Sequence, residues 1–346
     1  MSGHPLKGVI QINKERDISA KEEKDLLDRV SKFSVPNNKR ASLELVFTLG
    51  TFFLLFALMI YSLGISYWLT GVLLIPTAAL LTRAFTIQHD CGHNSFFSSV
   101  KANNLLGSLL GVLTLTPYYY WRRNHRFHHT ASGNLDKRGI GDLDTLTLKE
   151  YQSLPLYRKI WYRIYRNPIF MLAVGPIAVF VVKQRLPLDN PFHSLKSWTN
   201  IMITNVGIGV VVVSIVYFLG WETLLLVYFP VCLLASAIGI ALFYIHHQFE
   251  DTYWAADGEW SHYKSALYGS SYFEFSKFPS WIISNINLHH IHHLSGRVPF
   301  YRLRECLEAI PELRNAPKRT FRDIPDCFKL TLWDEDRKMM VAFSAV

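Results

Sequence analysis

Residues 43–93 read LELVFTLGTFFLLFALMIYSLGI, then SY, then WLTGVLLIPTAALLTRAFT, then IQHDCGH. The runs 43–65 and 68–86 are each close to the roughly 20 apolar residues that cross a hydrocarbon core as a helix. Only Ser66 and Tyr67 separate them, so the stretch predicts two membrane-spanning helices in a tight hairpin. It ends on His89 and His93, four residues apart and therefore on one helical face.

The same device recurs further along. Residues 201–219 (IMITNVGIGVVVVSIVYFL) and 223–245 (TLLLVYFPVCLLASAIGIALFYI) are joined by Gly220, Trp221 and Glu222, without a detectable sequence repeat. Two shorter apolar runs, 105–120 and 168–182, suit interfacial placement, and Pro and Gly interrupt the second. Half of the 346 residues are hydrophobic and 14% are aromatic, which lies on the apolar side of soluble averages. The net charge of +9 comes from segments flanking the apolar runs. That pattern fits an anionic membrane surface or an acidic redox partner better than nucleic acid.

Neither hairpin tip carries Lys or Arg, whereas residues 1–42, 121–200 and 246–346 hold nearly all of them. The positive-inside rule then places both termini and the histidine-rich connectors in the cytoplasm. The expected fold is an all-α integral membrane protein: four transmembrane helices in two hairpins, with a cytoplasmic helical cap carrying the histidines. The expected organisation is an N-terminal tail (1–42), a membrane domain (43–310) and a C-terminal tail (311–346). The polar first 42 residues have the wrong order for a cleavable signal. Cys91, Cys232, Cys306 and Cys327 show no paired spacing, so neither a disulfide framework nor a thiolate zinc site is expected.

Eleven of the 14 histidines fall in four groups: His89 and His93; His125, His128 and His129; His246 and His247; and His289, His290, His292 and His293. Spacings of three and four residues let each of the three larger motifs aim its imidazoles at one point. A structural zinc needs four ligands, so eight or more imidazoles imply two metal ions, and nitrogen donors suit iron, zinc or copper. A single cluster would fit a hydrogen-bonded core or a pH sensor, but repetition at ligand spacing does not. His4, His193 and His262 stand apart and read as surface residues, although Glu259 and His262 form an isolated Glu-x-x-His.

At these residues the chain resembles the membrane fatty acid desaturase family, whose signature is three boxes, HxxxH, HxxHH and HxxHH. Here they are His89-Asp-Cys-Gly-His93, His125-Arg-Phe-His128-His129 and His289-His-Ile-His292-His293. The similarity extends through HDCGHNSFF, WRRNHRFHHTASGNLDKRGIGDLDTLT, HHQFEDTYW and NINLHHIHHLSGRVPFYRL, over roughly residues 40 to 310, stretches which look like the bacterial acyl-lipid branch that includes omega-6 (delta-12) desaturases. The resemblance implies two non-haem irons, O2 as co-substrate, two electrons from an external donor, and removal of two hydrogens from adjacent acyl carbons. It implies metal ligation by His89, His93, His125, His128, His129, His289, His292 and His293, with His247 as a ninth ligand. His246 departs from the family pattern, as does Phe243, which stands where animal relatives place Asn. His290 lies outside the third box, though its i, i+3 spacing to His293 leaves an exchanged role open.

An unactivated methylene offers no acid or base foothold, so a cofactor must carry the hard step. Ligand imidazoles need their second nitrogen held, and Asp90, Asp142, Asp144, Asn285 and Asn287 are candidates beside the boxes; caps or solvated loop residues are the alternative. Neither a His-Pro-Gly-Gly haem motif nor a Gly-x-Gly-x-x-Gly loop is present, so electrons must come from a separate ferredoxin or cytochrome b5-type protein. Arg122, Arg123, Arg126, Lys137 and Arg138 offer it a cationic surface, and lipid phosphates compete for that role. A hydroxylase, acetylenase or carotenoid-modifying oxygenase would share the same boxes. A membrane metal carrier would instead place polar ligands within its spans, where this chain has no His, Asp or Lys.

Overall fold

The computed structural model describes residues 19–186 and 194–346. His4, His193 and the first 18 residues of the expected N-terminal tail lie outside them. Helix α1 (Ala20–Ser31) opens on a capping box between Ser19 and Glu22, which satisfies two otherwise free amides. Helix α2 (Asn38–Leu63) begins where the Asn37 side chain accepts from the Arg40 amide. It turns at Gly64–Ser66 into α3 (Tyr67–His93), and a 2.7 Å contact between the Ser62 and Thr70 hydroxyls closes the hairpin. Helix α3 does not stop where the apolar run ends. It continues through the first histidine box until Asn94, at φ 55°, terminates it.

The expected 105–120 run is divided. It supplies most of α4 (Val100–Leu113), then a turn through Pro117, then the start of α5 (Tyr118–Ala131). Three short helices follow: α6 (Leu148–Ser153), α7 (Leu156–Tyr165) and α8 (Pro168–Ala173). Next come α9 (Leu195–Thr223) and α10 (Phe229–His247). Then α11 (His262–Tyr268), α12 (Lys277–Ile282), α13 (His289–Leu294) and α14 (Leu303–Ala309) follow.

Among the described residues, three helices are long and apolar enough to cross a membrane: Asn38–Leu63, Tyr67–His93 and the run Leu195–His247. The third is broken at Gly220, whose φ of 84° and ψ of 166° are not helical and are open chiefly to glycine. The break falls where the link between spans 201–219 and 223–245 was expected. Beside it the Tyr67 hydroxyl donates to Glu222 at 2.9 Å, so the two hairpin turns sit together at one end of the molecule.

The chain is mostly helical but not all-α, which corrects the expectation. Strand β1 (Leu146–Thr147) pairs in parallel with β4 (Leu330–Asp334), and β4 pairs antiparallel with β5 (Met339–Ala342); β2 (Tyr272–Phe273) pairs with β3 (Lys318–Arg319). The C-terminal hairpin forms because Leu332, Trp333, Met340 and Val341 are buried. Between its strands Asp334 accepts from the amides of Asp336 and Arg337, both at 3.0 Å. These strands are too short to show beside 20-residue apolar runs.

Candidate metal centre

The histidines come from four elements: the last turn of α3, the second half of α5, the end of α10 and the whole of α13. Helix α13 is only six residues long, and burial of Ile291 and Leu294 seats it. Its following chain is tied to the first box, because the Phe300 amide donates to Asp90 Oδ2 at 2.7 Å.

Nine imidazoles converge in two groups. The first holds His89, His93, His125, His129 and His292; the second holds His128, His247, His289 and His293; in each, one ring nitrogen per residue lies within 4.8 Å of the others. The groups adjoin, with the His129 and His293 rings stacked at 4.3 Å. The expectation that each box aims at one point holds for His89 and His93 but not for the other two boxes. Helical geometry explains the correction: residues i and i+4 differ by about 40° around the axis, but i+3 and i+4 by about 100°. His125 with His129, and His289 with His293, therefore stay together, whereas His128 and His292 cross to the other group.

Within the groups, neighbouring Nε2 atoms lie 2.9–3.2 Å apart: His93 to His125 at 3.1 Å, His125 to His129 at 3.0 Å, His129 to His292 at 2.9 Å, His128 to His293 at 3.2 Å, and His289 to both His247 and His293 at 3.1 Å. Two nitrogens bound at about 2.1 Å to one ion, at roughly a right angle, would lie about 3.0 Å apart. Burial, reinforced by neighbouring imidazoles, holds His125, His129, His289, His292 and His293 well below the usual histidine pKa. They are neutral, with lone pairs free to coordinate. The donor set thus fits two metal ions with nitrogen preference.

Several second nitrogens are held. His128 Nδ1 meets the Asp142 carboxylate, His247 Nδ1 donates to the Gly269 carbonyl at 3.0 Å, and His89 Nδ1 lies 3.3 Å from Asp90. The other three candidates brace backbone: Asn285 donates to the Phe300 carbonyl (3.3 Å), Asn287 to that of Phe273 (2.8 Å), and Asp144 accepts through its main chain from Tyr162 at 3.1 Å. His246 and His290 belong to neither group. His246 Nδ1 pairs with Ser271 Oγ at 2.8 Å while its ring stacks on His289 at 4.5 Å, and His290 Nε2 donates to the Leu313 carbonyl at 3.0 Å. Phe243 packs its ring 5.1 Å from that of His128 and 5.4 Å from that of His247. His262 is exposed, and the Glu259-x-x-His262 pair is part of neither group.

Three neighbours escaped the sequence reading. Trp121 stacks on His125 at 4.6 Å and 12°, a position signalled only by its i, i+4 spacing. The Gly269 carbonyl has no sequence signal. At Gly296, a Cβ would stand 2.6 Å from His93 Nδ1, so glycine lets the chain after α13 press on that ligand candidate. Among the cationic residues, Lys137 pairs with Asp257 at 2.5 Å, Arg138 with Glu150, and Arg122 donates to Asn104 at 2.9 Å; Arg123 and Arg126 are exposed.

Asp142 keeps one carboxylate oxygen buried without a partner among the described residues, so its fit depends on His128. Asp142→Asn, which weakens the orientation of that ring, should lower metal affinity about 10–100-fold. Titration of metal into purified apoprotein measures this, and unchanged affinity would remove Asp142 from the site.

Helices long enough to cross a membrane, gathered around two imidazole groups able to hold metal, set the class of protein. Comparison with known proteins specifies which kind. The family model described as Fatty acid desaturase matches residues 35–324. A Bacillus subtilis protein named "Fatty acid desaturase" is 41% identical over 327 residues, covering 94% of this chain and 92% of that one. An "sn-1 acyl-lipid omega-3 desaturase (ferredoxin)" of Nostoc sp. is 30% identical over 241 residues, 65% of this chain and 63% of its own length. An "sn-1 oleoyl-lipid 12-desaturase" of Picosynechococcus sp. is 27% identical over 262 residues, 72% of each chain. The chain belongs to the fatty acid desaturase family and is an oxidoreductase of that kind.

Proposed function

We propose that this protein is an O2-dependent acyl-lipid desaturase of the omega-6 (delta-12) type, converting oleoyl to linoleoyl chains. Each imidazole group holds one iron. His89, His93, His125, His129 and His292 hold the first, and His128, His247, His289 and His293 the second; His246 and His290 ligate neither. The observation that carries the reading is the convergence of nine imidazoles into two coordination-sized groups. The relatives named as 12-desaturases support the position of the double bond, and those named with ferredoxin support a ferredoxin donor acting on lipid-bound substrate. A cytochrome b5-type donor is the alternative.

The topology proposed is four crossings, the Leu195–His247 run crossing twice about Gly220, with 43–310 as the catalytic domain. Both termini and the metal centre are cytoplasmic. The paired hairpin turns at Tyr67 and Glu222, opposite the histidine-bearing ends of α3 and α10, support this arrangement.

Bound iron supplies O2 activation for hydrogen removal from an unactivated acyl chain, chemistry that no side chain here possesses. The protein's part is placement. Asp142 and the Gly269 carbonyl fix the rings of His128 and His247 so that Nε2 faces the centre. Phe243 and Trp121 cover the imidazoles with apolar surface and limit water there. Asp90, bonded to the Phe300 amide, locks the segment carrying the third box against α3.

The test is expression of the full chain in a host that makes saturated and monounsaturated acyl chains, with profiling of each lipid class and metal analysis of purified protein. Linoleoyl chains and about two irons per chain are expected. A double bond elsewhere would overturn the regiochemistry, a hydroxylated product the reaction, and one metal per chain the two-iron centre.

A further inference from the structure

Helix α7 carries a face that catalysis does not use. Leu156, Tyr157, Ile160, Trp161 and Ile164 are large, apolar and exposed, at 73, 66, 50, 60 and 41%. At 100° per residue they form one stripe, while Tyr162 on the opposite side is buried, its hydroxyl 2.8 Å from the Thr331 carbonyl. By the same geometry Arg158 borders the stripe on one side and Lys159 and Arg163 on the other. None of the three has a carboxylate partner among the described residues. Arg158 donates to the Tyr157 hydroxyl (3.2 Å), Lys159 to the Gln152 carbonyl (2.7 Å) and Arg163 to the Tyr151 hydroxyl (2.7 Å). The exposed apolar surface continues through Ile169, Val174, Ile177 and Val182, within the segment whose sequence suits the membrane interface.

We propose that α7 lies in the plane of the cytoplasmic bilayer surface, its stripe among the acyl chains and its cations on the phosphates of anionic phospholipid. An apolar face bordered by Lys and Arg that lack carboxylate partners, with Trp and Tyr within it, is the pattern of an interfacial helix. A shallow groove lined by Ile160, Arg163, Ile164, Asn167 and Phe170 gives one acyl chain a seat with a cation at its rim. The proposal rests on the membrane reading above and not on the assignment of any metal ligand. It also has a consequence for the site. Arg166, one residue beyond the helix, is buried and donates to Gln248 (2.8 Å) and Tyr244 (3.2 Å), and Gln248 follows His247. The seat of α7 in the headgroup layer therefore bears directly on the second imidazole group.

The four native cysteines are buried, so Ile160→Cys and Ile164→Cys can be labelled selectively with a fluorophore in the full-length holoenzyme. The labelled protein is reconstituted in phosphatidylcholine vesicles with or without phosphatidylglycerol. Quenching by a lipid-borne nitroxide should exceed quenching by aqueous iodide at both positions. The lipid quenching should increase with phosphatidylglycerol, and that increase should vanish at high salt and in Arg158→Gln/Lys159→Gln. A label open to iodide in both vesicle types would overturn the proposal. So would a label shielded from both quenchers, which would indicate a second copy or another protein. Iron content and turnover measured on the same samples report separately on the catalytic reading.

Discussion

Alanine in place of any one of His89, His93, His125, His128, His129, His247, His289, His292 or His293 should lower turnover at least about 100-fold, because loss of a ligand exceeds the 10–100-fold cost of losing a partner that merely orients one. His262→Ala should retain most activity, since that residue is exposed and belongs to neither group; His4 and His193, read from sequence as surface residues, should also tolerate it. His246 and His290 are the discriminating cases. Both are buried, like most of the nine, yet their rings engage Ser271 and the Leu313 carbonyl. His246→Ala and His290→Ala should keep their iron, whatever they lose in stability. Turnover and iron per chain, measured on the purified variants, check both halves. Iron loss in His246→Ala with retention in His247→Ala would reassign the second group, and equal tolerance across all these positions would end the two-metal reading.

The long apolar helices were legible because hydropathy acts over whole helices: α2 and α3 lie close to the runs 43–65 and 68–86. The extension of α3 through His93 was not legible from hydropathy, since the histidine box is polar, although the i, i+4 spacing already favoured a helix there. Spacing also identified eight of the imidazoles that meet, and the family resemblance added His247, but neither showed how they divide. That division depends on where α10 and α13 approach α5, which only tertiary packing decides. Asp142 and Asp144 looked equivalent two residues apart, yet only Asp142 reaches a ring. The C-terminal strands were missed because four or five residues within a charged segment carry too little periodicity to stand out.

The second large effect concerns two charges, Glu44 and Arg83, that lie within the apolar runs 43–65 and 68–86. In the fold Arg83 is 1% exposed, and its guanidinium meets the Glu44 carboxylate. It also donates to Thr48 Oγ1 (3.0 Å), Ser284 Oγ (3.3 Å) and the Trp281 carbonyl. Arg40, more exposed, bonds the other Glu44 oxygen at 2.8 Å. The cluster thus ties α2 and α3 to the chain five residues before His289. Glu44→Leu strands a buried guanidinium without a carboxylate and should destabilise the protein by about 3–5 kcal/mol. Arg83→Met leaves Glu44 its partner Arg40, and should cost less, about 1–3 kcal/mol, chiefly through the Thr48, Ser284 and Trp281 groups left unbonded. Glu44→Leu/Arg83→Met removes both charges and should be more stable than Glu44→Leu alone, because an apolar pair avoids desolvating either ion. Unfolding in detergent, followed together with iron release, orders the three variants. If the double variant is as unstable as the two single effects added, the pair is not coupled, and the link from α2 to the third histidine box must run through packing instead.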